Sequence, residues 1–178
     1  MSKYKMSIAG VERELEMFEV NEHLDIAAFI LFNDVEITEK SAEALLKICP
    51  EHDVVLTAEA KSISLAYEFA RIGCRKFIVA RKGLKGYMRN PLSVTVKSIT
   101  TANEQTLHLG ESEVAELKGK RVLILDDVIS TGESLKALEQ LAEKAGANVV
   151  GKAAVLAEGD AADRDDIIFL EKLPLFFK

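Results

Sequence analysis

The stretch 122–134, VLILDDVISTGES, decides the fold of this chain. Four apolar residues, Val122 to Leu125, run into two adjacent carboxylates, Asp126 and Asp127. A turn of small hydroxylated residues follows around Gly132. An amphipathic segment, SLKALEQLAEKAGA (134–147), then predicts a helix closed by Gly146. A buried strand that ends in a turn and feeds a helix fits an open α/β sheet, whose ligands lie beyond the carboxyl ends of the strands. The unpaired N–H groups at the start of such a helix favour an anion. Ser130, Thr131 and Ser134 add hydroxyl donors, and Gly132 lets the backbone come close to a ligand. Residues Ile129 to Ser134, Glu133 among them, therefore read as a phosphate cradle. Asp126 and Asp127 read as acceptors for the hydroxyls of a ribose attached to that phosphate.

Outward from this stretch, the same alternation recurs. DVVLTA (53–58), KFIVA (76–80) and NVVGKAAVLA (148–157) read as buried strands. TEKSAEALLKIC (38–49), with Thr38 as N-cap, and SISLAYEFARIG (62–73), ended by Gly73, read as helices. The order strand–helix–strand predicts an α/β fold with a mostly parallel sheet flanked by helices. LSVTVKSIT (92–100) and EQTLHL (104–109) read as antiparallel strands at a sheet edge. IAAFILF (26–32) is strand or buried helix, and the residues before Asp25 read as a polar segment. His108 reads as structural.

A chain of 178 residues is long enough for one domain with a sizeable core. Its net charge of −6 argues against nucleic acid or anionic membranes as partners, and no apolar run is long enough to span a bilayer. The N-terminus has no signal-peptide core. Cys49 and Cys74 match no metal-ligand spacing and read as buried thiols of a reduced cytoplasm. There is neither GxxxxGK[ST] nor GxGxxG, so the two commonest nucleotide fingerprints are excluded.

The thirteen residues from Val122 resemble the phosphoribosyl pyrophosphate (PRPP) motif of the type I phosphoribosyltransferases. The resemblance runs from about residue 26 to the end. It implies that family's fold, a parallel sheet with a small hood, as one domain over 1–178. The hood would come from residues 1–37 and the C-terminal segment. TAEAKS (57–62) resembles the pyrophosphate loop of the adenine branch: Glu59 and Ala60 match, Lys61 stands for an arginine and Ser62 for a glycine. ARKGLKG (80–86) places Arg81, Lys82 and Lys85 where the purine branches carry cations for the leaving pyrophosphate. The resemblance implies a purine phosphoribosyltransferase of purine salvage. Its substrates would be PRPP and a purine base, adenine first, with Mg²⁺ bound mainly through PRPP, in a cytoplasmic homodimer. Phe29, Phe32 and Leu156 would face the base, with Glu158 close by. DAADRDD (160–166) reads as a solvated acidic loop. Thr101 and Ala102 replace the Glu-Tyr pair of the adenine branch, and Glu104 lies nearby. That segment is closer to the xanthine enzymes. The alternatives are thus a xanthine/guanine enzyme or a non-catalytic regulator that senses PRPP.

Overall fold

The computed structural model describes residues 2–97 and 104–178. The N-terminal segment is a meander of strands rather than a merely polar run: β1 (Lys3–Ile8), β2 (Val11–Asn21) and β3 (Leu24–Ala28). Tyr4, Met6 and Ile8 alternate with the exposed Lys3, Lys5 and Ser7, the period of a half-buried strand. Ala9 and Gly10 both adopt positive φ, as a tight hairpin turn requires. IAAFILF resolves into the end of β3 followed by irregular chain, with no helix.

Next come α1 (Val35–Leu46), β4 (Val54–Ala58), α2 (Ile63–Ile72) and β5 (Phe77–Ala80). The cap of α1 is Asp34, not Thr38: the Asp34 carboxylate accepts from the Ile37 amide at 3.1 Å, and Thr38 sits inside the first turn. Arg13 of β2 grips the same carboxylate at 2.7 and 3.0 Å, which ties the meander to the helix. That fork holds the Asp34 carboxyl below the usual carboxylate range.

Strands β6 (Leu92–Lys97) and β7 (Glu104–Leu109) pair antiparallel as a separate ribbon. Among the described residues its backbone pairing toward β5 is a single bridge between Arg81 and His108, so it is not an edge of the main sheet. A short helix, α3 (Glu111–Leu117), had no clear sequence signal. Then follow β8 (Arg121–Ile129), α4 (Glu133–Lys144), β9 (Asn148–Glu158), a 3-10 turn (Gly159–Asp163), β10 (Ile168–Leu173) and β11 (Phe176–Phe177).

The main sheet is parallel throughout, in the order β10-β9-β8-β4-β5. From β4 the chain steps outward to β5, then returns to lay β8 on the other side of β4. The strand order reverses at the β4–β8 seam, and in such sheets the crevice beyond that seam is where ligands bind. β10 ends at this same edge, and two residues later β11 pairs with β3. The antiparallel sheet β1-β2-β3-β11 is thereby hung over the carboxyl edge of the parallel one.

Two cores hold the layers. On one face Leu135, Leu138 and Leu141 of α4 pack with Leu107, Leu109 and Leu117. On the other, Leu45 of α1 and Leu65 and Phe69 of α2 pack with Phe29, Leu31 and Leu156. Each fully buried leucine contributes about 2 kcal/mol. Cys49 and Cys74 are partly buried free thiols at the margin of this second core.

Candidate active site

Two loops leave the sheet at the β4–β8 seam. From β4 comes Glu59-Ala60-Lys61-Ser62, with a cis Glu59–Ala60 peptide. From β8 come Asp126 and Asp127, then the turn Ser130–Gly132 into α4. The strands place the two acids on opposite faces. Asp127 is buried, and Asp126 is partly exposed beside the turn.

Ser62 joins the loops. Its Oγ donates to Asp126 Oδ1 at 2.5 Å, lies 3.2 Å from Asp127 Oδ1 and accepts from the Asp127 amide at 3.1 Å. The Asp127 amide is also 2.9 Å from Asp126 Oδ1. Lys61 Nζ lies 2.9 Å from Asp127 Oδ2 as an ion pair. Burial and then the neighbouring Asp127 charge push the Asp126 carboxyl up to about 7, against the pull of the Ser62 hydroxyl.

Asp126 and residues 128–135 line a small cavity of about 100 Å³. Gly132 opens α4 with φ +79°, a conformation that side chains disfavour. Ser130 and Thr131 are exposed at its mouth, and Ser134 donates to Gln105 Oε1 of the ribbon at 3.1 Å. Residues Ile129 to Ser134, read from the sequence as a phosphate cradle, line this cavity together with Asp126.

Two of the basic residues, Lys61 and Arg81, are already paired with the site's own acids. Arg81 Nε lies 2.6 Å from Glu59 Oε1, and the Lys82 amide donates to Glu59 Oε2 at 2.8 Å. Lys82 is exposed and Lys85 half-buried. His108 is buried, shares a 2.7 Å hydrogen bond with Ser93, and anchors Arg81 through two backbone bonds, a structural role.

The expected base contacts divide. Phe29 and Leu156 belong to the second core, 5% and 0% exposed, and offer a base no surface. Phe32 is 49% exposed but lines a groove with Val35, Ile63 and Tyr67, which shares no residue with the phosphate-loop cavity. Thr101 and Ala102 lie outside the described residues.

One residue near the site was missed. DAADRDD is not simply a solvated loop: Arg164 forks onto Asp166 with Nε and Nη2 at 2.8 Å, while Nη1 stands against Gly132. Lys152 buttresses Asp166 at 2.6 Å and Glu139 at 2.9 Å. The available signal was a lone cation amid acids, an arrangement common on solvated loops too.

Comparison with known proteins places residues 33–173 in the phosphoribosyl transferase domain family. The chain is 33% identical over 128 residues to the adenine phosphoribosyltransferase of Rhodococcus jostii, covering 71% of this chain and 69% of that one. It is 31% identical over 134 residues to a hypoxanthine/guanine phosphoribosyltransferase of Methanococcus voltae, covering 75% and 68%. The crystal structure of adenine phosphoribosyltransferase from Thermoanaerobacter pseudethanolicus superposes with a TM-score of 0.72 at 23% identity, covering 89% of this chain and 95% of that one. This last likeness concerns the fold.

Proposed function

The chain belongs to the phosphoribosyl transferase domain family, and on that premise we propose that it transfers the phosphoribosyl group of PRPP to a purine base. Adenine is the first candidate. The products are the nucleoside monophosphate and pyrophosphate, which makes the enzyme a pentosyltransferase of purine salvage. The observation that carries this reading is the junction at the β4–β8 seam: an acidic pair, the lysine and serine of the β4 loop bonded to it, and a phosphate-sized cavity beside it.

In this reading the amides and hydroxyls of residues 129–134 hold the 5′-phosphate at the start of α4. Asp126 and Asp127 accept hydrogen bonds from the ribose hydroxyls. Lys61, Arg81, Lys82 and Lys85 surround the pyrophosphate, with Glu59 and Ala60 shaping the loop. The bond from the anomeric carbon to the pyrophosphate oxygen breaks with its electron pair. A ring nitrogen of the base bonds to the anomeric carbon, and its proton passes to the departing pyrophosphate. Positive charge grows on the ribose and negative charge on the pyrophosphate. Positioned cations therefore act more strongly in the transition state than before it. The ion pairs seen at Glu59 and Asp127 must exchange partners when the polyanion arrives.

Mg²⁺ would be carried by PRPP, where it would neutralise charge on the pyrophosphate. Among the described residues no group of three or more His, Cys, Asp or Glu is placed to hold an ion alone. The reading includes one domain over the whole chain, with the antiparallel sheet as hood, and a cytoplasmic homodimer. The exposed Phe32, Val35 and Tyr67 offer an apolar surface to a second copy. Sedimentation velocity tests the dimer.

The hypoxanthine/guanine relative favours a second reading, a 6-oxopurine as acceptor. Steady-state turnover with PRPP, Mg²⁺ and adenine, guanine, hypoxanthine or xanthine decides between them. Turnover with adenine alone supports the first reading. PRPP binding without turnover on any base overturns both in favour of a sensor.

A further inference from the structure

Ser62 occupies the N-cap of α2, where a serine ordinarily turns its oxygen back onto the amides of its own helix. Here it makes no such bond. It is 2% exposed, and its hydroxyl crosses instead to the end of β8, where it meets Asp126 and the amide of Asp127. A hydroxyl has one proton, and the 2.5 Å contact assigns it to Asp126. The Asp127 amide donates to the same oxygen, Asp126 Oδ1. Both donors converge on Oδ1, which orients the carboxylate so that Oδ2 is the oxygen for a ligand. Asp126 is also the acid that lines the phosphate-loop cavity.

We propose that Ser62 is a positioning residue for PRPP, which gives up its helix cap to hold Asp126 in the orientation that receives the ribose. The inference rests on the PRPP reading of the site. A glycine at this position leaves Asp126 with the amide alone. The serine hydroxyl adds a donor to a charged acceptor, the stronger class of hydrogen bond. It thus also favours the anion. The other charged groups around Asp126 are Asp127 beside it, Lys61 from the β4 loop on the far oxygen of Asp127, and Glu133 across the cavity. β9 sets the uncharged Ala154 opposite it.

The test compares the wild-type chain with Ser62→Ala and Ser62→Gly by calorimetric binding of PRPP with Mg²⁺, at about pH 6 and about pH 8.5. PRPP titrates identically in all three, so the ratio of affinities isolates the protein. Removing the donor should shrink the ionised fraction of Asp126 further, lowering affinity about tenfold at the lower pH, where that fraction is already the minor one, and by only about twofold at the higher. Ser62→Thr, which keeps the hydroxyl, should restore the wild-type pH dependence. A loss in the alanine and glycine variants that is equal at both pH values overturns the proposal, because a merely structural role has no reason to titrate. Unchanged affinity at both pH values overturns it as well. If the wild-type chain binds no PRPP at either pH, the site reading falls and this inference with it; wild-type binding that the variants share removes the inference alone.

Discussion

The guanidinium of Arg164 stands where a side chain on Gly132 would project: a Cβ built there lies 2.7 Å from Nη1. The turn of the phosphate loop is therefore bounded on one side by a protein cation, not by open space for a ligand. Gly132→Ala should weaken PRPP and nucleoside monophosphate about tenfold, from the left-handed backbone and the crowding of Arg164 together. In an Arg164→Ala background the same change should act more weakly. Calorimetry across the double-mutant cycle checks this, and additive effects refute the contact.

Asp126 makes a prediction with a definite sign. Its folded-state pKa, about 7, lies above that of an unfolded aspartate, so proton binding favours the folded chain. That contribution is complete below about pH 4 and is lost as pH rises through about 7. Asp126→Asn should then stabilise the ligand-free protein above pH 7 by on the order of 1 kcal/mol, and not near pH 4. Thermal unfolding at the two pH values measures it. The same substitution combined with Asp127→Asn should abolish PRPP binding with the fold intact, seen by calorimetry and circular dichroism.

The basic loop should separate binding from chemistry. Lys82→Ala with Lys85→Ala removes charge that the leaving pyrophosphate needs most. It should lower kcat by about a hundredfold while a nucleoside monophosphate, which carries no pyrophosphate, binds nearly as before. Steady-state kinetics beside monophosphate titration reports both numbers. Weaker monophosphate binding with kcat unchanged would place these lysines in ground-state binding only.

Asp34 should govern acid sensitivity. Arg13 holds its carboxyl low, so its contribution is present above the unfolded pKa near 4 and is lost as pH falls through the depressed folded value. Asp34→Ala removes a helix cap and the Arg13 fork together, and should cost about 1–3 kcal/mol at neutral pH. The gap between variant and wild type should close in acid. Urea denaturation at about pH 7 and about pH 3 follows it.

The parallel sheet was legible because its strands are short apolar runs cut by helical periods, as at 53–58 and 122–129. The acidic pair and the phosphate loop were legible because their residues are contiguous. What was not legible depends on contacts distant in sequence. Ser62 and Asp126 are brought together by a crossover, and the sequence marks Ser62 only as a departure from glycine. Arg164 reaches Gly132 through an anchor on Asp166. Thr38 has the chemistry of a cap, yet Asp34 takes the position because Arg13 reaches it from β2. The β1–β2 alternation of Tyr4, Met6, Ile8 and Arg13, Leu15, Met17 was present in the sequence but obscured by abundant charge. Phe29 and Leu156 were expected at the base; the antiparallel sheet needs them as its floor.

β3 lies between β2 and β11, and its second neighbour is Phe176–Phe177, with the Lys178 amide bonded to the His23 carbonyl. Synthesis runs the other way from this assembly. The ribosome delivers β1 to β3 first, then every strand of the parallel layer, and only afterwards the piece that covers the open flank of β3. A half-made chain thus carries a row of unsatisfied peptide groups, the kind of surface on which neighbouring nascent chains pair. Residues 176–178 are the ones that end this exposure, so a chain cut just before residue 176 should be more adhesive than one that includes them.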